Sequence, residues 1–253
     1  MLLKNINHEN EFNEKRTHLY ISAMQEGFNV RKNELASFDI DNKLKNIPQD
    51  IVDLGAGNGY LTMYLAKKFP TSTIYATDAS ITMREGLKKI KNIVLLEKLA
   101  LANNSIDAIF SLAAFHHITD KKHLLKELYR VLKPGGFLFI GDVNDNTPTQ
   151  VFFDTVVKKY CITKHDFDFL DSRWISYLAK ESGLILRESK VKNTPWIFDN
   201  EKNMINFIKK LTGLEISNQN LKQFLYKNFK IIKKNQRLSL SWQLGYHILQ
   251  KKK

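Results

Sequence analysis

The chain has 253 residues, 43% hydrophobic and 26% charged, which is ordinary for a globular protein and enough for one large domain with its own core. No apolar run is long enough to span a bilayer, and the first residues lack the apolar core of a signal sequence, so a cytoplasmic protein without a transmembrane segment is expected. The single cysteine, Cys161, excludes an internal disulfide and a cysteine-built zinc cluster.

The net charge of +13 is unevenly spread: Leu184–Lys253 holds 15 of the 39 Lys and Arg residues but only 4 of the 26 Asp and Glu. Such asymmetry suits an acidic partner: nucleic acid, a phosphate-bearing substrate or carrier, or an anionic membrane. The lysines are scattered rather than blocked, so a solvated surface is the preferred reading, and nucleic acid is not the favoured partner.

In chain order, residues 5–40 read as helical, with Leu19, Met24 and Phe28 on one face, and residues 1–46 form an N-terminal helical cap. Ile51–Leu54 is a short apolar strand that runs into Gly55-Ala56-Gly57-Asn58-Gly59. A helix follows with Leu61, Tyr64, Leu65 and Phe69 on one face and stops at Pro70. Thr73–Thr77 is the second strand, Ser80–Lys91 a helix, Ile93–Leu96 the third strand and Ile106–Leu112 the fourth. Asp120–Leu132 is a helix, Lys133–Gly136 a Pro-Gly-Gly turn, and Phe137–Val143 the fifth strand. Strands and helices alternate, and the strands are short and apolar. This predicts an α/β, Rossmann-like, doubly wound parallel sheet covered on both faces.

Beyond Asn144 the pattern loosens. Val151–Tyr160 and Arg173–Ser182 read as helices, the second ended by Gly183, and Leu184–Val191 reads as a strand. Asn203–Leu211 and Leu221–Ile232 read as two helices inserted before one long closing strand, Arg237–Leu249. The main domain is then 47–253, with substrate-covering segments at about 144–172 and 195–235. These segments are rich in aromatics: Phe152, Phe153, Tyr160, Phe167, Phe169, Trp174, Trp196, Phe198 and Phe207. They suit an apolar substrate pocket, although an ordinary core accounts for any one of them.

The chemistry gathers around two elements. Asp53-x-Gly55-x-Gly57-x-Gly59 follows a strand and opens a helix, so glycines let a ligand lie against backbone. Asp78 ends the second strand, 21 residues after Gly57, where a carboxylate can accept hydrogen bonds from two ribose hydroxyls. A dinucleotide fingerprint would need glycine at position 60, which is Tyr60, and no lysine follows Gly59 as a phosphate-binding loop would require. Asp53 can meet an ammonium group directly or through water, which favours a cofactor with an amino-acid tail over a diphosphate. Taken singly, a glycine turn is often only a tight connection, and Asp78 can be only a cap for the Ser80 helix. Both together at this spacing favour the cofactor.

At these residues the chain resembles the class I S-adenosylmethionine-dependent methyltransferases. Val52–Tyr60 (VDLGAGNGY) is similar to their first motif, and Asp78–Met83 (DASITM) to the element after their second strand. Leu99–Asp107 (LALANNSID), Ser111–Ile118 (SLAAFHHI) and Leu132–Gly136 (LKPGG) continue the set in order. The likeness runs over about residues 50–143 and is nearest to the type 11 group of small-molecule enzymes. It implies a seven-stranded, mostly parallel sheet with an antiparallel last strand, and S-adenosylmethionine as cofactor, with S-adenosylhomocysteine as product. It implies cofactor contacts at Asp53, Gly55, Ala56, Gly57, Asn58, Gly59, Asp78, Ala79, Met83, Leu96, Glu97, Ser111 and Tyr20. The family's usual acid for the adenine amino group is Leu95 here. Either Glu97 takes that role, or backbone and apolar contacts hold the adenine.

Transfer from a sulfonium is an in-line displacement, for which the enzyme aligns the partners and excludes water. Any general base is sought at His116 and His117, just after the fourth strand. Neighbouring helical residues point apart, so one of them at most is expected to face substrate. His116 is the candidate, against the commoner reading of a histidine that packs a strand-helix turn. Tyr20 and Arg31 are candidates for a cofactor carboxylate or a substrate acid. No metal site is expected. The leading function is methyl transfer to a small-molecule or carrier-bound acyl acceptor. The alternatives are an RNA methyltransferase that uses the basic C-terminal third, or a non-catalytic protein that binds S-adenosylmethionine.

Overall fold

A computed structural model describes residues 12–80, 82–83, 87, 92–97, 99–163 and 168–253. The first eleven residues of the expected cap, most of the Ser80–Lys91 helix and Phe167 lie outside the described residues.

The main sheet has seven strands in the order β3-β2-β1-β4-β5-β10-β6. They are β1 (Asp50–Leu54), β2 (Thr73–Thr77), β3 (Ile93–Leu96), β4 (Ile106–Leu112), β5 (Leu132–Asp142), β6 (Leu184–Asn193) and β10 (Gln243–Lys251). β10 pairs antiparallel with both β5 and β6, while β1 to β5 pair parallel. This is the predicted mostly parallel sheet with its antiparallel last strand. β1 and β4 are buried along nearly their whole length because both sheet faces are covered. One face packs against α5 (Lys121–Val131) and α6 (Ser172–Ser182), and the other against the N-terminal helices and the late insertion. The helix starts are set by short polar side chains: Asp120 accepts the N–H of His123, and Asp171 that of Trp174. Gly183, at φ 81°, ends α6.

The N-terminal segment is made of helices as expected: α1 (Glu14–Glu26), α2 (Lys32–Ala36) and α3 (Ile40–Lys43). The break after α1 comes at Gly27, where any Cβ would run into the ring of Phe207, and it turns the chain so that Arg31 enters the interior. Three later expectations need correction. The insertion is not purely helical. α7 (Glu201–Thr212) and α8 (Asn218–Asn228) are joined by a second, three-stranded sheet in the order β7-β9-β8: β7 (Trp196–Phe198), β8 (Ile231–Lys234) and β9 (Arg237–Leu240). The closing strand is therefore two strands. The chain leaves the small sheet at Leu240 and enters the main sheet at Gln243. The Trp242 carbonyl accepts from Thr194 N–H, and the Trp242 ring stacks 4.0 Å from Trp196. β5 also begins earlier than expected, because Leu132–Gly136 continues the strand through a register shift with Gly135 at φ 83°.

Candidate active site

The strand order reverses between β1 and β4, so the loops leaving their carboxyl ends part and leave a crevice. A cavity of about 580 Å³ lies there. Its wall includes Gly55, Ala56, Gly57, Asp78, Met83 and Tyr20, all expected, and also Arg31, Tyr60, Leu112, Ala113 and His117.

The three glycines of the first loop do different work. Gly55 (φ 76°) passes so close to Ala114 that any side chain would collide with it, and a Cβ at Gly59 (φ 90°) would strike Leu87. Only at Gly57 (φ 52°) does the missing Cβ face open space, with the Tyr20 hydroxyl 3.9 Å away as its nearest neighbour. Gly57 is thus the place where a ligand can lie against backbone. Asp78 Oδ2 accepts the Gly57 N–H at 2.8 Å and Oδ1 accepts the Ser80 N–H at 2.8 Å. The capping role and the ligand-facing role belong to one carboxylate, since each oxygen keeps a second lone pair and the residue lines the cavity.

The other expected residues stand elsewhere. Asp53 is fully buried behind the loop and is not in the wall. Its Oδ2 accepts from Thr62 Oγ1 at 2.6 Å, and its Oδ1 is buried without a hydrogen-bond partner. Burial pushes its carboxyl up to about 7, the nearby Asp78 charge adds to this, and the Thr62 bond opposes it. Ser111 is buried and donates to the Leu54 carbonyl at 3.0 Å, tying β4 to β1. Asn58 and Ala79 are half-buried, Leu96 is half-buried and Glu97 exposed at the end of β3, and none of the four is among the lining residues.

A second cavity of about 570 Å³ adjoins the first. The two share Phe12, Tyr20, Arg31, Ala113 and His117. His116 lines the second cavity, and so does His117. The turn Phe115–His117 is a single 3-10 turn, and its two imidazole rings lie 3.9 Å apart on the same side. Of the aromatics expected over the substrate, Phe153 and Trp196 line this cavity, joined by Trp242. Phe152 is core, packed on Phe229 and Trp242.

Arg31 stands in the wall of both cavities. It is buried, and its Nε and Nη2 reach Glu34 Oε2 at 2.9 and 2.7 Å. Sequence reasoning missed Glu34, Asp142, Tyr60 and the Leu112–Ala114 segment. Only Asp142, an acid at the carboxyl end of an apolar strand, left a readable signal.

The first cavity fits S-adenosylmethionine: a carboxylate for hydroxyls, an open glycine bend, an apolar floor at Leu112 and Met83, and a guanidinium at the wall. Among the described residues no group of three or more His, Cys, Asp or Glu could hold a metal, and no helix is long and apolar enough to cross a membrane.

A sheet of this order with a carboxylate and a glycine bend at its switch point is the arrangement of the class I S-adenosylmethionine-dependent methyltransferases. Residues 52–140 match the family model described as Methyltransferase domain. The chain is similar to malonyl-[acyl-carrier protein] O-methyltransferase 1 of Coxiella burnetii, at 33% identity over 40% of this chain and 36% of that one. It is similar to the malonyl-[acyl-carrier protein] O-methyltransferase of a Marinomonas species at 26% identity over 78% and 77% of the two chains. Among solved structures it shares its fold with a phosphoethanolamine N-methyltransferase 2 of Haemonchus contortus in complex with S-adenosyl-L-methionine. The TM-score is 0.63 at 16% identity, over 100% of this chain and 60% of that one. The chain spans between 36% and 51% of the length of the first curated relatives it matches.

Proposed function

We propose that this protein transfers a methyl group from S-adenosylmethionine to a small-molecule or carrier-bound acyl acceptor. The observation that carries the reading is the wall common to the two cavities. Tyr20, Arg31, Ala113 and His117 stand between a crevice suited to the donor and a second, aromatic one suited to an acceptor.

S-adenosylmethionine supplies a methyl group already activated on a sulfonium. Asp78 accepts from the two ribose hydroxyls, its orientation fixed by the Gly57 and Ser80 N–H groups. Gly55 and Gly57 offer backbone to the amino-acid tail, and Arg31 offers its remaining N–H groups to the tail's carboxylate. Met83 and Leu112 supply apolar surface. The buried rings of Trp196 and Trp242 exclude water from the acceptor.

Calorimetry with S-adenosylmethionine tests this. Asp78→Ala should weaken binding by about 100-fold, the worth of two charge-assisted hydrogen bonds. Affinity unchanged in that variant would refute the cofactor site. Binding without S-adenosylhomocysteine formation across acyl and small-molecule acceptors would favour a non-catalytic binding protein.

A further inference from the structure

The acceptor cavity contains a device that alignment and water exclusion do not call for. Asp142, at the carboxyl end of β5, is buried, and its Oδ1 lies 2.5 Å from His116 Nδ1. Its Oδ2 accepts the His116 backbone N–H at 3.1 Å, and Oδ1 also accepts the Val143 N–H at 2.6 Å. Burial by itself would raise the Asp142 carboxyl. The His116 charge and hydrogen bonds, with the Val143 N–H, outweigh burial and hold it below the usual carboxylate range. An ionised carboxylate only accepts, so when the imidazole is neutral its one proton sits on Nδ1 and Nε2 is the basic atom. The rings of Phe153 and Phe169, 5.9 and 6.0 Å away, fix the imidazole's orientation by packing.

A carboxylate acceptor arrives ionised and needs no base. A hydroxyl oxygen is a weak nucleophile until its proton leaves. A buried histidine–aspartate couple in the acceptor cavity is equipment for the second case. The walls indicate which hydroxyl. Trp196 and Trp242 stack at 4.0 Å and 21°, and Phe153 stands 6.3 Å from Trp242 at 60°. Flat rings pack well against such walls. The cations in the wall are already engaged. Arg31 is paired with Glu34, and Arg16 donates to the Leu211 carbonyl at 2.6 Å.

Resting on the methyl-transfer reading above, we infer that the acceptor is a flat aromatic ring bearing an ionisable hydroxyl. Its proton passes to His116 Nε2, with Asp142 as the positioning residue. The phenolic O–H breaks and the O–CH3 bond forms from the oxygen's electron pair. The C–S bond breaks with its pair going to sulfur, and the proton then leaves His116 for water. This chooses the small-molecule branch over the carrier-bound acyl one.

The test uses the full chain saturated with S-adenosylhomocysteine and titrated with 4-nitrophenol, about one pH unit below that phenol's own pKa. The phenolate absorbance band should rise about threefold or more over free phenol at the same pH. Among the described residues, the titratable and charged groups around the couple are Asp142, His117, Tyr20, Arg16, Arg31 and Glu34 in or beside the cavity, with Lys121 and His247 near Asp142. The band should be lost in His116→Asn and Asp142→Asn, with S-adenosylhomocysteine affinity kept. If those variants do not fold, the wild type decides: 4-nitrobenzoate, the same ring with a carboxylate, should fail to displace the phenol. With S-adenosylmethionine instead, the band should fade as the methyl ether forms. Displacement by 4-nitrobenzoate, no phenolate band with S-adenosylhomocysteine bound, or a band unchanged in both variants overturns the inference. Failure to bind S-adenosylhomocysteine refutes the methyltransferase reading itself and takes this inference with it.

Discussion

The indole Nε1–H of Trp196 donates a 2.6 Å hydrogen bond to Oε1 of Glu34, a residue 162 positions earlier. The other Glu34 oxygen holds Arg31, and the Glu34 backbone carbonyl accepts the Tyr246 hydroxyl at 2.8 Å. One fully buried residue thus locks the N-terminal helices to the small sheet through its carboxylate and to β10 through its carbonyl. It also keeps Arg31 in the wall common to both cavities. Burial alone would lower the Arg31 guanidinium, but the Glu34 charge and hydrogen bond, with Tyr20 and Tyr60, together outweigh it and the pKa is raised.

Removing each side of this lock should have different costs. Glu34→Gln leaves a buried guanidinium without its counter-charge and should destabilise the fold by about 3–5 kcal/mol in urea denaturation. Trp196→Phe removes one neutral donor and should cost about 1–3 kcal/mol. Equal losses would mean that the Arg31 charge is no burden to the fold.

Gly57 and Gly59 separate binding from stability. Gly59→Ala forces a Cβ into Leu87 at a φ of 90° and should cost about 2–4 kcal/mol, read as a lower unfolding midpoint. Gly57→Ala adds only about 1 kcal/mol of backbone strain, but its methyl enters the cavity beneath Tyr20. Its S-adenosylmethionine affinity should fall by about tenfold or more while the fold holds. If the two variants behave alike in both measurements, Gly57 does not face the ligand.

Much of the sheet was legible because its strands are short apolar runs with clear stops, such as Ile51–Leu54 before Gly55 and the helix that closes at Gly183. The small sheet was not. Arg237–Leu240 alternates buried and exposed side chains just as a strand of the main sheet would, so nothing before Trp242 marks a change of sheet. Asp78 and Gly57 were legible because both act locally at the carboxyl ends of adjacent strands. Glu34 was not, since its partner lies 162 residues away and only the packed fold brings them together. Asp142 showed as an acid ending an apolar strand, but its pairing with His116, 26 residues away, did not. Asp53 misled in placement: an acid before the loop reads as a ligand contact, but strand alternation turns it into the interior.

Asp53 gives a pH-dependent cost. Its folded pKa of about 7 stands above the ordinary 3.8, so the folded state binds more protons between those values. Stability from this group therefore falls as pH rises from about 4 to 7 and is level beyond. Asp53→Asn should remove that fall, worth up to roughly 4 kcal/mol at neutral pH. Denaturant midpoints at pH 5 and pH 8 check it; a variant with the wild-type slope would place Asp53 in water.

His247 acts with the opposite sign. It is buried on β10, with Nδ1 2.9 Å from Ser189 Oγ, and burial pushes it down to about 4 from the ordinary 6.5, against the pull of Asp142 and Asp171. Here the unfolded state binds more protons between about 4 and 6.5, so stability rises with pH through that window and is lost as pH falls. The window overlaps that of Asp53, and the two slopes partly cancel in the wild type. His247→Gln should therefore steepen the fall of stability with rising pH, while Asp53→Asn should expose a rise. The difference in slope between the two variants should amount to several kcal/mol between pH 4 and 7, up to roughly 7 if neither site relaxes. Parallel curves for the two variants would show that neither group is held away from solvent as the packing of β1 and β10 requires.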